Sequence, residues 1–329
     1  MKPIGGYFEW EFPSVRNAAL HENSVYLNSG RHALEYILRG LNNVQCIWVP
    51  YFTCDTALQP LNTLKIPYKF YKINSKLELE KEFDLNEGEY LLYTNYYGIK
   101  DAYCTKIAER YGYQAIIDNA QALFCKPNPQ THQFYSPRKY MGMPDGGIAV
   151  TNIPDTTSSL PIDTSYNRCS HLLKRMEISP SEGYDDFKIN DGKIDKTHLS
   201  RMSPISKHIF DTADLDFIKL RHRENFAYLH KFLASTNRFE IPTMDSFACP
   251  LIYPYWTGKG KELKKALIKQ SIFVATYWPN VFEWTKQNDL EYEIANNVVS
   301  ISIDQRYGID EMKTIIDFIR QTQSTIGNN

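Results

Sequence analysis

Short apolar runs alternate with amphipathic stretches along the first half of the chain. The runs are rich in β-branched and aromatic residues and are bounded by turn-forming residues, which is typical of buried strands. They occupy 45–50, 68–73, 90–95, 114–119 and 146–151. Between them, apolar residues recur at helical spacing from Ala33 to Leu41 and again over 101–112, where Gly112 marks a helix end. This alternation predicts an α/β fold with a mostly parallel sheet and helices on both faces.

The alternation stops near residue 154, and a different organisation follows. Segment 154–206 is polar and contains Gly and Pro, so we expect an irregular lid or interface arm there. Further on, the pattern predicts helices over 213–236, 260–271 and 308–321, and strands over 247–256, 273–278 and 297–303. We therefore expect a large domain over 1–240 and a smaller C-terminal α+β domain over 241–329.

Composition excludes several classes of protein. Of the 329 residues, 43% are hydrophobic and 23% are charged, which is ordinary for a globular chain and excludes a disordered one. The 37 basic and 38 acidic side chains nearly cancel, so no global field recruits nucleic acid or a membrane surface. Six scattered cysteines show no metal-ligand spacing, so no metal site is expected. The N-terminus resembles no signal peptide and no long apolar segment occurs, so we expect a cytoplasmic protein.

Two segments of the first half carry candidate chemistry. Ser29 and Gly30 come just before a helical pattern, where unpaired N–H groups can hold a phosphate, although Ser29 could simply cap the helix. Asp118 closes an apolar strand, at the edge where parallel sheets place functional groups. It could pair with a cation or a protonated ring nitrogen, with Gln121 adding a hydrogen bond, or it could cap the next helix.

Two later segments are further candidates. Lys139 lies in a loop rich in Pro and Gly that leads through Asp145 into a Gly-Gly strand. A single lysine is usually a solvated surface residue, but one in a partly buried loop can act as a nucleophilic amine. Arg201 and Ser203 precede the long helix, where a solvated basic stretch is the alternative interpretation.

The order and spacing of these residues resemble the DegT/DnrJ/EryC1/StrS family of sugar aminotransferases, which have the aspartate-aminotransferase fold and use pyridoxal 5'-phosphate. VPYFTCDTALQPL at 49–61 is similar to the family's VPxxTxxxT, IIDNAQAL at 116–123 to IEDAAQAL, and SPRKYMGMPDGG at 136–147 to HPTKxxxxGEGG. The segments NYYGIKD, SRMS and VATYWPNV resemble further family motifs. The likeness runs from about Tyr26 to Arg320.

The resemblance implies a role for each candidate residue. It implies that Lys139 attaches the cofactor covalently and acts as the catalytic base, and that Asp118 keeps the ring nitrogen protonated, which makes the ring an electron sink. The implied cofactor-binding set is Ser29, Gly30, Arg31, Cys54, Asp118, Gln121, Ser136 and Lys139. It also implies a homodimer in which Arg201 and Ser203 reach the cofactor of the neighbouring subunit.

The implied activity is transfer of an amino group from an amino acid such as glutamate to a keto sugar, free or nucleotide-linked. Three positions depart from the family pattern. Phe134 replaces a phosphate-binding serine, for which Ser136 could compensate, and Leu199 replaces an asparagine that reaches the neighbouring subunit. Cys54 replaces the aromatic residue that stacks on the cofactor ring, which leaves that face to Tyr51, Tyr97 or nothing.

Two alternatives to amino transfer therefore stay open. The first is a related enzyme with another reaction, such as sugar dehydration, although relatives that dehydrate often carry histidine where this chain has Lys139. The second is a protein that binds the cofactor without turnover, which the changes at Phe134, Cys54 and Leu199 favour.

Overall fold

A seven-stranded sheet forms the centre of the molecule; the structure is a computed structural model that describes residues 6–13 and 17–327. The strands are β1 (Ser24–Leu27), β2 (Cys46–Pro50), β3 (Tyr68–Tyr71), β4 (Glu89–Thr94), β5 (Ala115–Asn119), β6 (His132–Tyr135) and β7 (Gly147–Val150). Their order across the sheet is β1-β7-β6-β5-β4-β2-β3. All neighbours from β3 to β6 pair in parallel, whereas β7 is antiparallel to both β1 and β6. The mostly parallel sheet is therefore confirmed.

Helices cover both faces of this sheet. The helices are α1 (Gly30–Gly40), α2 (Leu58–Leu64), α3 (Asp101–Tyr111), α4 (Ser170–Glu177), α5 (Pro180–Ile194), α6 (Pro204–Thr212), α7 (Leu215–Leu233), α8 (Gly260–Lys269), α9 (Val281–Trp284), α10 (Leu290–Asn297) and α11 (Ile309–Gly327). Because successive strand residues point to opposite faces, they enter two separate cores. Leu92 and Ile116 join the core that contains α1 and α2, whereas Leu91 and Ile117 join the one that contains α3 and α7.

A second, two-stranded sheet lies in the C-terminal part of the chain. It consists of β8 (Ile252–Trp256) and β9 (Val298–Ser302), which pair antiparallel, and α8, α10 and α11 accompany it. The prediction of a strand over 273–278 was wrong, since only Ala275 forms an isolated bridge there. The apolar side chains of that run, Val274 and Trp278, are buried from a loop, so the run marks burial and not strand pairing.

The prediction that 154–206 is irregular was also wrong in part, because α4 and α5 lie within it. Few residues of this helical pair are buried, and the sequence of α5 shows only a weak amphipathic pattern. The sequence does contain a signal for the start of α5, namely Ser179 followed by Pro180 in the first turn. In the structure, the hydroxyl of Ser179 accepts a hydrogen bond from the backbone N–H of Glu182. We call α4 and α5 together the helical arm.

The two predicted domains share one buried apolar cluster. It includes Tyr93 of the large sheet and Ile301 of the small one, so the two sheets pack into a common core. The small sheet lies wholly after residue 241, and the boundary near residue 240 stays a prediction. Among the helices of the described residues, none combines the length and apolar character that crossing a bilayer requires.

Candidate active site

The sheet topology brings the candidate residues to a single edge. β2, β4, β5 and β6 run in parallel, so their carboxyl ends share this edge. β7 is antiparallel to β6 and begins at this edge, and β1, antiparallel to β7, ends at it. The segments next to these strand ends therefore meet there and carry Ser29, Cys54, Ser136 and Lys139, while Asp118 lies at the carboxyl end of β5 itself.

The N-terminus of α1 forms one side of the site. The hydroxyl of Ser29 accepts a hydrogen bond from the backbone N–H of His32 at 3.2 Å, so Ser29 caps the helix. Gly30 follows, and a Cβ atom added to it would lie 3.5 Å from the Cβ atom of Ser136. Ser136 thus stands beside the first turn of α1, where N–H groups and the helix dipole favour an anion.

Two glycines allow the start of β7 to approach this helix end. A Cβ atom at Gly147 would lie 2.1 Å from the carbonyl oxygen of Ser29, which no side chain could occupy. Gly146 has a φ of 141°, a conformation that favours glycine, and its N–H donates to the carbonyl of Asn28 at 2.9 Å. The Gly-Gly pair therefore fixes the helix start against the sheet.

Asp118 supplies a buried carboxylate at the edge of the sheet. It is only 7% exposed, and one oxygen accepts the backbone N–H of Ala120 at 2.8 Å. Burial raises the pKa of Asp118, while the charge of Lys139 and the Ala120 N–H lower it. No lysine or arginine among the described residues forms a salt bridge with it, so this carboxylate is suited to a cationic group supplied by a ligand.

Gln121 adds an unused hydrogen-bond donor beside Asp118. Its Oε1 accepts the backbone N–H of Tyr97 at 2.7 Å, whereas its buried Nε2 has no partner among the described residues. Tyr97 and Gly98 form the close turn that holds this side chain. Tyr97 has a φ of 57°, and a Cβ atom added at Gly98 would lie 2.5 Å from the carbonyl oxygen of Gln121. Because an unpaired buried donor is unfavourable, Nε2 points to a ligand that accepts its hydrogen bond.

Lys139 faces the same site from the loop after β6. It ends the short 3-10 turn Pro137–Lys139, and its side chain is exposed in the single chain. The positive charge of its amine lowers the pKa values of both Asp118 and Cys54. Burial raises the pKa of the Cys54 thiol, while a hydrogen bond with Thr56 and the charge of Lys139 lower it. An amine, a buried carboxylate and the N-terminus of α1 thus lie at the same edge of the sheet.

Comparison with known proteins identifies the fold of the chain. No family model matches the chain, and no curated protein matches it. Solved structures do: DesV from S. venezuelae in complex with a ketimine intermediate is 16% identical, with 92% of this chain and 85% of that chain covered at a TM-score of 0.61. A DegT DnrJ EryC1 StrS aminotransferase from Brucella abortus is 16% identical, with 92% and 86% covered at a TM-score of 0.62. NtdA from Bacillus subtilis with bound cofactor PMP is 11% identical, with 91% and 72% covered at a TM-score of 0.61.

The chain has the fold of these aminotransferases. The resemblance seen in the sequence motifs is therefore confirmed at the level of the fold, over more than nine-tenths of the chain. This aminotransferase fold places ligands at the carboxyl edge of its sheet, which is where the candidate residues meet.

Three side chains that the sequence associates with the site make other contacts within this aminotransferase fold. The guanidinium of Arg31 is held by Gln59 at 2.6 Å and Asp195 at 2.5 Å, so only its backbone belongs to the helix start. The rings of Tyr51 and Tyr97 also have partners in their own chain. Tyr51 stacks on Phe70, and Tyr97 is fully buried beside Phe239 and Tyr277.

Ser203 and Arg201 contact their own chain. Ser203 is fully buried and caps α6, and its hydroxyl donates to Asp145 at 2.5 Å and contacts Ser165 at 2.7 Å. Ser203 therefore offers no free surface to a second subunit. The Nε of Arg201 donates to the carbonyl of Leu160 at 3.2 Å, and Arg201 remains partly exposed. The prediction of a cross-subunit contact now depends on Arg201.

No sequence pattern indicated the cavity that opens beside Lys139. This cavity has a volume of about 290 Å³ and is lined by residues of three distant segments, among them His171 of α4 and Gln305 and Arg306 after β9. No local motif joins these segments, so no sequence signal could have found them. Within the described ranges, no group of three or more His, Cys, Asp or Glu side chains is arranged to hold a metal ion.

Proposed function

We propose that this protein is an aminotransferase that uses pyridoxal phosphate. The observation that carries the proposal is the buried, unpaired carboxylate of Asp118 beside the amine of Lys139, on the fold of known aminotransferases. The residues present fit the cofactor group by group. The first turn of α1 and Ser136 suit its phosphate, Asp118 its protonated ring nitrogen, the free Nε2 of Gln121 its ring hydroxyl, and Lys139 its aldehyde.

When bound, pyridoxal phosphate supplies the electron sink that allows an amino group to leave an amino acid. The chain supplies the proton handling and the orientation. The carboxylate of Asp118 would hold the protonated ring nitrogen of the cofactor, because burial strengthens its interaction with a cation. The Nζ of Lys139 takes the proton from the Cα atom of the donor amino acid as a general base.

The substrates follow from the resemblance to sugar aminotransferases. We propose an amino acid such as glutamate as the donor and a keto sugar, free or nucleotide-linked, as the acceptor, with the reaction in the cytoplasm. Lys139 favours amino transfer over sugar dehydration. A second candidate function is a protein that binds the cofactor without converting a substrate. The observation that favours it is Cys54, since a thiol cannot stack on the cofactor ring.

We further propose a homodimer whose active sites lie at the subunit interface. Lys139 is exposed in the single chain, although its chemistry requires a site shielded from water. The helical arm also exposes apolar side chains that a second copy could cover: Met176 is 73% exposed, Ile178 65% and Ile189 55%. The proposed contact is isologous and places Arg201 of one chain near the cofactor of the other.

Absorbance spectroscopy tests the cofactor and the reaction together. The purified chain, loaded with pyridoxal phosphate and dialysed, should retain the visible band of the lysine-bound cofactor. Added glutamate should convert this band to that of the pyridoxamine form. A band that none of the common amino acids changes would favour the cofactor-binding protein without turnover, and a chain that retains no band would contradict both.

A further inference from the structure

Tyr140, the residue directly after Lys139, enters the core between several segments of the chain. It is 2% exposed, and its ring centroid lies 5.7 Å from that of Phe124 and 5.1 Å from that of His222 on α7. Its backbone N–H donates to the carbonyl of Pro137 at 2.9 Å, which closes the turn that carries Lys139. The exposed lysine is therefore followed by a residue that is packed in place.

The hydroxyl of Tyr140 joins this turn to the segment after β5. It donates to the backbone carbonyl of Gln121 at 2.7 Å and lies 3.3 Å from the carbonyl oxygen of Cys249, which precedes β8. Gly98 allows the chain to pass these two carbonyls, since a Cβ atom there would lie 2.5 Å from the first oxygen and 2.7 Å from the second. One buried hydroxyl therefore connects the turn of Lys139 with two distant segments.

A further hydrogen bond holds the backbone of Tyr140. The Nε2 of Gln305, which follows β9, donates to the carbonyl oxygen of Tyr140 at 2.8 Å. The amine of Lys139, by contrast, has no hydrogen bond or salt bridge within the described part of the chain. The position of the turn, and not a contact of the amine itself, therefore determines where this amine can reach.

We propose that Tyr140 is a positioning residue, whose hydroxyl fixes the turn of Lys139 relative to the strand end that carries Asp118. The inference rests on the proposed function, in which Asp118 holds the ring of pyridoxal phosphate and Lys139 bonds to its aldehyde. In that attachment the neutral Nζ of Lys139 forms a C=N bond with the aldehyde carbon, and its two protons leave with the aldehyde oxygen as water.

The hydroxyl matters because attachment depends on how well the two reacting groups are held together. The ring is fixed at the end of β5 by Asp118, whereas the amine comes from the turn. The hydrogen bond from Tyr140 to Gln121 connects these two parts of the site. Without it, the turn and the strand end can move apart, so the amine meets the aldehyde less often.

A purely structural role for Tyr140 makes a different prediction. Loss of its buried hydroxyl would then loosen the fold and weaken cofactor binding whether or not the lysine is present. Positioning acts only through the amine of Lys139, so its effect must disappear when that amine is removed. The same substitution in two backgrounds therefore separates the two roles.

Equilibrium dialysis against pyridoxal phosphate measures the effect in four chains: the wild type, Tyr140→Phe, Lys139→Ala and the double variant. Tyr140→Phe keeps the ring and removes only the hydroxyl. We expect it to raise the dissociation constant about three- to tenfold when Lys139 is present, which is the range for one net hydrogen bond. In the Lys139→Ala background the same change should alter the dissociation constant less than twofold.

Tyr93→Phe is the matched control. Tyr93 is fully buried, and its hydroxyl also donates to a backbone carbonyl, that of Leu77, at 2.7 Å. The control therefore removes the same group from the same kind of bond, away from the turn of Lys139. Both phenylalanine variants should lower the melting temperature of the cofactor-free chain by similar amounts, but only Tyr140→Phe should weaken cofactor binding more than twofold.

The outcomes separate this inference from the proposed function. A wild type that retains no visible band of lysine-bound cofactor contradicts the aminotransferase and the positioning role with it. If the wild type has the band and Tyr140→Phe binds the cofactor within twofold of it, the positioning role alone is overturned. Equal weakening by Tyr140→Phe with and without Lys139 would also overturn it, since the hydroxyl would then act only on the fold.

Discussion

At the scale of single residues, the candidate site combines one exposed charged group with one buried charged group. The amine of Lys139 is exposed, whereas the carboxylate of Asp118 is buried and has only the Ala120 N–H as a hydrogen-bond partner among the described residues. The buried group is held rigidly in β5, and the exposed group ends a flexible stem on a loop. This difference suits Asp118 to a fixed contact with the ring of the proposed cofactor and Lys139 to moving a proton.

Lys139→Ala should remove the covalent attachment of pyridoxal phosphate and leave the fold intact, because the lysine side chain is exposed and packs in no core. Borohydride treatment of the loaded protein should label the wild type and not this variant. Lys126→Ala, which removes another exposed lysine, is the control and should be labelled normally. Labelling of the Lys139→Ala variant would mean that another lysine holds the cofactor.

Asp118→Asn should slow the reaction with glutamate about ten- to hundredfold, since a charge-assisted hydrogen bond of about 1.5–3 kcal/mol is lost. In the cofactor-free chain the same variant should be more stable than the wild type at pH 7. Burial raises the pKa of Asp118 above its unfolded value, so the ionised carboxylate destabilises the fold as the pH rises.

The pH dependence of the melting temperature checks this interpretation of Asp118. Below the unfolded pKa of about 3.9 the carboxyl is protonated in both states, so Asp118→Asn and wild type should melt alike, whereas the variant should melt higher as the pH rises above that value. Bound cofactor should reverse the order at pH 7. Equal melting at every pH would contradict a buried, unpaired carboxylate.

At the scale of elements, the approach of β7 to α1 depends on the absence of a side chain at Gly147. Gly147→Ala places a Cβ atom 2.1 Å from the carbonyl oxygen of Ser29, so the helix start must shift away from Ser136. We expect cofactor affinity to fall about ten- to hundredfold, in line with overpacking costs of about 1–3 kcal/mol. Gly192→Ala is the control: apart from the backbone of its own helix, nothing lies within 4 Å of its added Cβ atom, so affinity should be unchanged.

A buried ion pair joins the start of β7 to the loop before the helical arm. Arg168 contacts Asp145 at 3.4 Å and Asp163 at 2.9 Å, with side-chain exposures of 4%, 0% and 14%. Arg168→Met leaves the carboxylate of Asp145 buried without its cation, so we expect a loss of about 3–5 kcal/mol in unfolding free energy by urea denaturation. Arg110→Met, which removes an arginine from exposed surface pairs, should cost less than about 1 kcal/mol.

The size of that loss distinguishes a structural pair from an incidental contact. Adding Asp145→Asn to Arg168→Met removes the unpaired charge, so the double variant should recover part of the lost stability. If Arg168→Met and Arg110→Met unfold at the same urea concentration as the wild type, the buried pair contributes nothing to the fold.

At the scale of the whole molecule, the proposed homodimer would shield Lys139, which is exposed in the single chain. Light scattering at micromolar concentration should therefore give about twice the chain mass of 38.3 kDa. A fully active species near 38.3 kDa would contradict the dimer. Mixing inactive Lys139→Ala with inactive Arg201→Ala chains should restore part of the activity if the sites are shared. Self-contained sites should regain none.

Local pattern was sufficient for much of the fold and for the choice of the main candidate residues. Buried strands 46–50 and 115–119 were predictable because short apolar, β-branched runs bounded by turns are typical of buried strands. Asp118 was chosen as a candidate because it lies at the carboxyl end of a parallel strand, and Lys139 because its loop leads into the Gly-Gly strand of the resembling motif; their roles stay predictions. The Gly-Gly pair before β7 was also visible as a motif.

Only the tertiary structure decided the features that depend on distant partners. The helical arm escaped prediction because few of its residues are buried, and the contacts of Arg31 with Gln59 and Asp195 cross more than one element. The cavity beside Lys139 joins three segments that no motif links. Local sequence determines which face of an element is buried, but the chain topology determines which faces meet, and this protein's cavity, its internal ion pairs and the burial of Ser203 depend on that second step.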